Sequence, residues 1–245
     1  QALKCYKRMQ NEGILPNALT FTCILKACAN IGDIKKGKQI HEEVFNRGML
    51  SEKDVLLGTS LVDMYAKCGD LGLAQRVLEE IPVRNLASWS ALMRGYAEHK
   101  QNDKALNSLE CMQNEGFSPD AITFTCILKA CGNSGAIEKG QEIHDEILSQ
   151  GLLNNNIVLG TALVDMYAKC DMPTKAEYVF KELGLRDIVT WSALIAGYAQ
   201  QGQSYEALRC FKEMQSEGLS PNTVTFICIL KACGINEGKQ IHEEI

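Results

Sequence analysis

Short words of sequence recur in this chain at a fixed distance, and that recurrence restricts the folds open to it. Thr-Phe-Thr-Cys-Ile-Leu-Lys-Ala-Cys at residues 20–28 returns at 123–131 and, with Ile227 in place of Thr, at 225–233. Leu-Val-Asp-Met-Tyr-Ala-Lys-Cys stands at 61–68 and 163–170, and Trp-Ser-Ala-Leu at 89–92 and 191–194. The long period is about 102 residues. Inside it three related but unequal units divide the chain at 18–54, 55–85 and 86–120, then at 121–156, 157–187 and 188–222. Unit lengths in this range mark a solenoid, in which each unit buries its apolar face against the next.

Of the 245 residues, 46% are hydrophobic and 22% charged, enough to bury a continuous core as one quasi-linear array rather than two globules. No apolar run approaches the roughly 18 residues needed to cross a bilayer, so membrane insertion is not expected. The chain starts at Gln1 and stops at Ile245, both in mid-repeat, and reads as a fragment whose missing targeting signals say nothing of the parent's address.

The eleven cysteines are odd in number and recur at equivalent repeat positions. Cys23 and Cys28, Cys126 and Cys131, and Cys228 and Cys233 stand five apart in helix-like segments, where five residues turn two side chains roughly 140° apart. That suits a shared ligand poorly. Cys68 and Cys170 close a different repeated word, and no Cys-x-x-Cys occurs. Buried packing of small side chains is the expectation, with no metal or redox role, and it implies a reducing compartment.

Each unit reads as two short antiparallel helices. In the first kind, Leu19, Phe21, Ile24, Leu25 and Cys28 predict one helix, Ile34, Ile40, Val44 and Phe45 a second, and Gly32 and Gly48 close them. In the third kind, Ala105, Leu106, Leu109 and Met112 predict the second helix, with Gly116 as its stop and Pro119 beyond; the same Gly-x-x-Pro recurs at 13–16 and 218–221. Helix pairs with apolar surface on both sides need neighbours, which makes the fold all-α and an α-solenoid.

The unit lengths of 35 to 37, 31 and 35 residues in rotation, without a Trp-x-x-Leu-Gly signature, argue against tetratricopeptide repeats. Trp-Ser-Ala-Leu-Ile-Ala-Gly-Tyr-Ala-Gln at 191–200, Met-Gln-x-Glu-Gly-x-x-Pro-Asn/Asp at 112–120 and 214–222, Gly-Lys-Gln-Ile-His at 37–41 and 238–242, and Asp-Met-Tyr-Ala-Lys-Cys resemble pentatricopeptide repeats. The rotation resembles the plant subclass that mixes standard, long and short (P, L and S) repeats. On this reading residues 1–17 are half a standard repeat and 223–245 part of a long one. That last unit departs from its siblings, being about four residues shorter between its helices. The fold the resemblance implies is a right-handed superhelix of helix-turn-helix repeats.

What the resemblance implies in function is recognition of single-stranded RNA, one base per repeat, by the fifth residue of the repeat and its last. Those pairs here are Thr59 with Asn85, Ser90 with Asp120, Thr161 with Asp187, and Ser192 with Asn222. In the family's code a hydroxyl with Asp favours guanine, whose edge offers donors to a carboxylate, and a hydroxyl with Asn favours adenine, whose edge suits an amide. With N-terminal repeats toward the RNA 5′ end, the implied core is A-G-N-G-A. The long units add Thr22 with Asp54 and Thr125 with Asn156, which would extend it to G-A-G-A-G-A. Their lengths depart from the standard repeat, so packing or spacing stands beside base reading. Second residues flank the base as an apolar sandwich, and here they are Leu56, Ala87, Val158 and Val189. Asn or Asp ahead of a helix is also an ordinary N-cap, and one residue can do either job. Trp89 and Trp191 share a repeat position with Phe21, Phe124 and Phe226 and with Gly58 and Gly160, which reads as filling between helices rather than as base stacking.

A net charge of −5 and a pI near 5.5 oppose the usual basic footprint of nucleic-acid binders. Distribution offsets it in part. Lys26, Lys67, Lys129, Lys169, Lys231 and Arg94 fall on first helices, whereas Glu42-Glu43, Glu79-Glu80 and Glu243-Glu244 fall on second helices, so a basic inner stripe, an acidic outer wall and modest phosphate attraction are expected. His41-Glu42-Glu43, His144-Asp145-Glu146 and His242-Glu243-Glu244 meet the bare His-x-Glu of zinc deaminases but lack the Pro-Cys-x-x-Cys partner and recur as repeat consensus. There is no Walker loop, Gly-x-Ser-x-Gly or His-Glu-x-x-His. The reading is a non-enzymatic, cofactor-free RNA-binding part of an organellar RNA-processing or C-to-U editing factor, in mitochondrion or chloroplast, with editing-complex proteins as further partners. A protein-binding α-solenoid scaffold is the alternative.

Overall fold

A computed structural model of the chain describes residues 1–51, 53–154 and 156–232. Among these lie fourteen α-helices and no strand. The chain divides into two compact units, 1–127 and 128–245, with the division inside one helix.

The first unit holds α1 (Ala2–Asn11), α2 (Ala18–Ile31), α3 (Ile34–Asn46), α4 (Val55–Lys67), α5 (Leu71–Glu80), α6 (Leu86–Glu98) and α7 (Asn102–Asn114), and α8 (Ala121–Ser134) begins in it. Within it α2, α4 and α6 lie side by side as one layer, and α3, α5 and α7 each fold back on the helix before them. The second unit continues with α9 (Ile137–Ser149), α10 (Ile157–Lys169), α11 (Pro173–Glu182), α12 (Ile188–Gln200), α13 (Ser204–Ser216) and α14 (Thr223–Ala232). There α10, α12 and α14 form the first layer, with α11 and α13 against it.

The central first helices are apolar on more than one face because they are covered on several sides. In α4, Leu57, Leu61, Val62, Met64, Tyr65 and Ala66 are all buried, whereas second helices such as α5 bury only the stripe of Leu71, Ala74, Val77 and Leu78. Gly32 takes a left-handed φ of 69° and stops α2 after its apolar run.

Filling between helices is matched to the side chain at one repeat position. Trp191 is buried against Phe180, with ring centroids 4.4 Å apart, and Trp89 is likewise buried, as are Phe21 and Phe124. In the short units this place is Gly58 or Gly160, where a Cβ would stand 2.9 Å from Ile81 or 2.5 Å from Leu183. The tryptophans thus act as packing, as the sequence indicated.

Leu19 and Phe45, whose spacing marked two helices that the structure has, are 64% and 67% exposed; spacing marks a helix but not which neighbour each flank meets. One expectation needs correction. Cys5, Cys23 and Cys111 are exposed rather than buried, whereas Cys28, Cys126, Cys131 and Cys210 are buried. Burial pushes the Cys28 thiol up to about 11 and those of Cys131 and Cys210 up to about 12, which keeps them protonated and unreactive. No described residues form a cluster able to hold a metal ion, and no described helix is long and apolar enough to cross a membrane. Cys233, the second Gly-Lys-Gln-Ile-His and the triplet at His242 lie outside the described residues, as does most of the shortened last unit.

Candidate nucleic-acid interface

The closing residue of each unit stands at the N-terminus of the next first helix, where backbone N–H groups lack intrahelical partners. Asn85 Oδ1 accepts the Ser88 N–H at 2.8 Å, and Asp120 Oδ1 accepts the Thr123 N–H at 2.8 Å. Asp187 Oδ1 accepts from Val189 and Thr190 at 3.0 and 2.8 Å, and Asn222 Oδ1 from Thr225 at 2.9 Å. All four are therefore N-caps. Every cap bond uses Oδ1, so Oδ2 of the two aspartates and Nδ2 of the two asparagines are left over. In the long-unit pairs Asn156 caps α10 through Leu159 at 3.1 Å. Asp54 makes no cap bond and instead accepts from the Ser51 hydroxyl at 2.8 Å.

The fifth residues sit one turn into the first helices, and four of them bond back to their own backbone. The hydroxyls of Thr59, Ser90, Ser192 and Thr125 donate to Val55, Leu86, Ile188 and Ala121 carbonyls at 2.9, 2.8, 2.6 and 2.7 Å. Ser90, Ser192 and Thr22 are buried, whereas Thr59, Thr125 and Thr161 are half-buried.

The structure brings three of the expected pairs together through a residue that the sequence reading missed. Ser90 Oγ lies 2.9 Å from Thr123 Oγ1, which donates to Asp120 Oδ1 at 2.8 Å. Thr161 meets Thr190 at 2.6 Å, and Thr190 meets Asp187 at 2.8 Å. Ser192 meets Thr225 at 2.7 Å, and Thr225 meets Asn222 at 3.0 Å. Thr59 reaches Asn85 directly, at 3.4 Å. The missed signal is a hydroxyl three residues after the closing residue. In the long-unit pairs that place is Leu57 or Leu159, both fully buried.

Second residues point outward. Leu56, Val158 and Val189 are more than half exposed, and Ala87 is exposed too. Leu19, Ile122 and Val224, which the sequence reading did not count among the second residues, occupy the same place two residues after a closing residue and are equally exposed. In the first unit Leu56, Thr59, Ala87, Ser90 and Asp120 line one groove of about 460 Å³, together with Lys26, Lys67, Arg94 and Ile122.

The groove is not a continuous basic stripe. Lys26 and Lys129 are exposed, but Asp63 on α4 binds Lys67 at 2.8 Å through one oxygen and Arg94 of α6 through the other. In the second unit Asp165 holds Lys169 at 2.6 Å, and Ala196 stands where the first unit has Arg94. These aspartates, which the count of lysines passed over, neutralise part of the expected cationic face.

Away from the groove, the closing loops of the short units are tied down in the same way twice. Glu115 forms an ion pair with Arg84 at 3.1 Å and accepts a hydrogen bond from the Trp89 indole at 3.3 Å. Arg186 and Trp191 both donate to Glu217, at 3.4 and 3.0 Å. His41 and His144 have a structural partner as well: each Nδ1 lies 2.9 Å from a tyrosine hydroxyl of the next short unit, Tyr65 or Tyr167.

Comparison with known proteins identifies the repeats. The profile described as PPR repeat matches residues 19–49, 59–86, 122–152 and 161–188, that of the PPR repeat family matches 84–133 and 186–234, and that of the pentatricopeptide repeat domain matches 1–31. Two chloroplastic proteins of Arabidopsis thaliana are similar along nearly the whole chain. Pentatricopeptide repeat-containing protein At4g18520 is 35% identical over 246 residues, covering 99% of this chain and 39% of that protein, and CRR2 is 36% identical over 253 residues, covering 99% and 38%. The chain thus spans under two-fifths of the length of these relatives. The crystal structure of the maize pentatricopeptide repeat protein PPR10, in complex with an 18-nt psaJ RNA element, matches with a TM-score of 0.84 at 22% identity, over 99% of this chain and 37% of that one. Its fold is the α-solenoid described here, and the chain belongs to the pentatricopeptide repeat family.

Proposed function

We propose that the chain binds single-stranded RNA one base per repeat, as the target-recognition part of a plant organellar RNA-processing or C-to-U editing factor of the subclass with rotating standard, long and short repeats. Its divisions are those at 18–54, 55–85, 86–120, 121–156, 157–187 and 188–222. The observation that carries the reading is the groove of the first unit, which the exposed Leu56 and Ala87 line together with the hydroxyl-and-carboxylate pair of Ser90 and Asp120. An apolar pair can sandwich a base face, and the oxygen left over by the cap can accept hydrogen bonds from its edge. The four pairs outside the long units then select A-G-N-G-A. PPR10 in its RNA complex and the chloroplastic relatives support RNA as the ligand and an organelle as the place.

Asp120→Asn tests the reading, because it converts this pair to the kind found at Ser192 and Asn222. The carbonyl oxygen of Asn can replace Oδ1 in the cap, so stability stays nearly constant. Preference at that one base moves from guanine toward adenine, with discrimination of about 1 to 3 kcal/mol by analogy with base-edge contacts in DNA. Affinities for RNAs differing only at this base, beside a thermal melt, decide it: unchanged preference makes Asp120 a cap and nothing more.

A further inference from the structure

The hydroxyls of Thr123, Thr190 and Thr225 are fully buried, and each stands between a fifth residue and a closing residue. A hydroxyl has one proton to donate. Given to the carboxylate of Asp120 or Asp187, it makes a charge-assisted bond, and the threonine oxygen is then an acceptor, for the Thr161 hydroxyl in one pair and in the other for the Ser90 hydroxyl, whose single proton is shared between Thr123 and the Leu86 carbonyl. With the backbone N–H and the threonine O–H both on Oδ1, that atom is fully engaged. Asp120 and Asp187 can then present only Oδ2, an acceptor. Asn222, held by the same two donors from Thr225, must have its oxygen inward and can present only Nδ2, a donor. The inward hydroxyl thus fixes which atom the closing residue shows.

We propose that Thr123, Thr190 and Thr225 are positioning residues for base discrimination: by locking the closing side chain they make Asp a pure acceptor and Asn a pure donor. The long units, with Leu57 and Leu159 at this place, lack the lock and discriminate weakly. The inference rests on the base-reading function above and adds residues that never touch the base.

Thr123→Val keeps shape and removes the hydroxyl while the Thr123 backbone N–H still caps Asp120. The full chain is titrated with two RNAs carrying the A-G-N-G-A core, one with guanine and one with adenine at the second position. The wild-type protein favours guanine. Thr123→Val binds both RNAs but with a guanine-to-adenine affinity ratio that falls toward one, and Thr123→Ser restores the ratio. A purely structural threonine would weaken both RNAs alike, so an unchanged ratio overturns the inference while leaving base reading intact. A wild-type protein with no preference at this base sinks the base-reading proposal itself and this inference with it. Should Thr123→Val not fold, Thr190→Val asks the same question of Asp187 at the fourth base, with the same two outcomes.

Discussion

Asp120 has two oxygens. Oδ1 caps α8 while the residue also lines the groove, so capping and the proposed base reading, alternatives when only the sequence is in view, are compatible in one side chain. The histidines of the His-x-Glu triplets resolve differently. Burial holds His41 and His144 below the ordinary histidine value of about 6.5, against a weaker upward pull from Glu80 on His41 and from Asp145 and Glu182 on His144. As pH falls through 6.5 the unfolded chain takes up protons that the folded chain refuses. The stability they contribute is therefore complete above that value and is lost toward the lower, folded pKa. The thermal midpoint accordingly drops as the pH is lowered from 7 to 5, and His41→Gln with His144→Gln flattens that dependence; an equally steep profile in the double variant would place the titrating groups elsewhere. The candidate pairs were legible in the sequence because repetition aligned them, whereas the bridging threonines and the histidine–tyrosine bonds were not. The histidine–tyrosine bonds and the threonines' contacts with the fifth residues join positions more than twenty apart, which no local pattern encodes; only the hydroxyl three residues after the closing residue was there to be read locally.

Charge is organised by helix. Asp63 of α4 occupies Lys67 and Arg94 at once, and these two cations otherwise face a groove suited to a phosphodiester strand. Asp63→Asn releases both. Neutralising two further phosphates steepens the dependence of log affinity on log salt by about 1.4, taking about 0.7 per phosphate for single strands, and raises affinity at low salt. Asp165→Asn, which frees only Lys169, steepens it by about 0.7. Titrations at several salt concentrations measure both slopes, and equal slopes for wild type and Asp63→Asn would show that these cations never meet the strand. Helices and their stops were legible because Gly32 and Gly116 punctuate a strong apolar period. The outward turn of Leu19 and Phe45 was not, since a helix wedged between neighbours is apolar on several faces and its exposed apolar residues look like core.

For the molecule as a whole, the repeat architecture makes stability a sum over neighbours, with the least at a terminal helix. α1 buries only Tyr6, while α6 buries nine residues. Backbone amides of α1 consequently exchange with deuterium sooner than those of α6, and equal protection would contradict a nearest-neighbour solenoid. The companion expectation for the C-terminal segment falls largely on residues 233–245, outside those described. The central claim is that an acidic repeat protein selects a particular purine-rich strand through four hydroxyl-and-amide or hydroxyl-and-carboxylate pairs. Selection from a random single-stranded RNA pool tests it most directly: the account predicts enrichment of A-G-N-G-A, extended to G-A-G-A-G-A if the long units also read, and enrichment of pyrimidine-rich sequence, or of none, would contradict it.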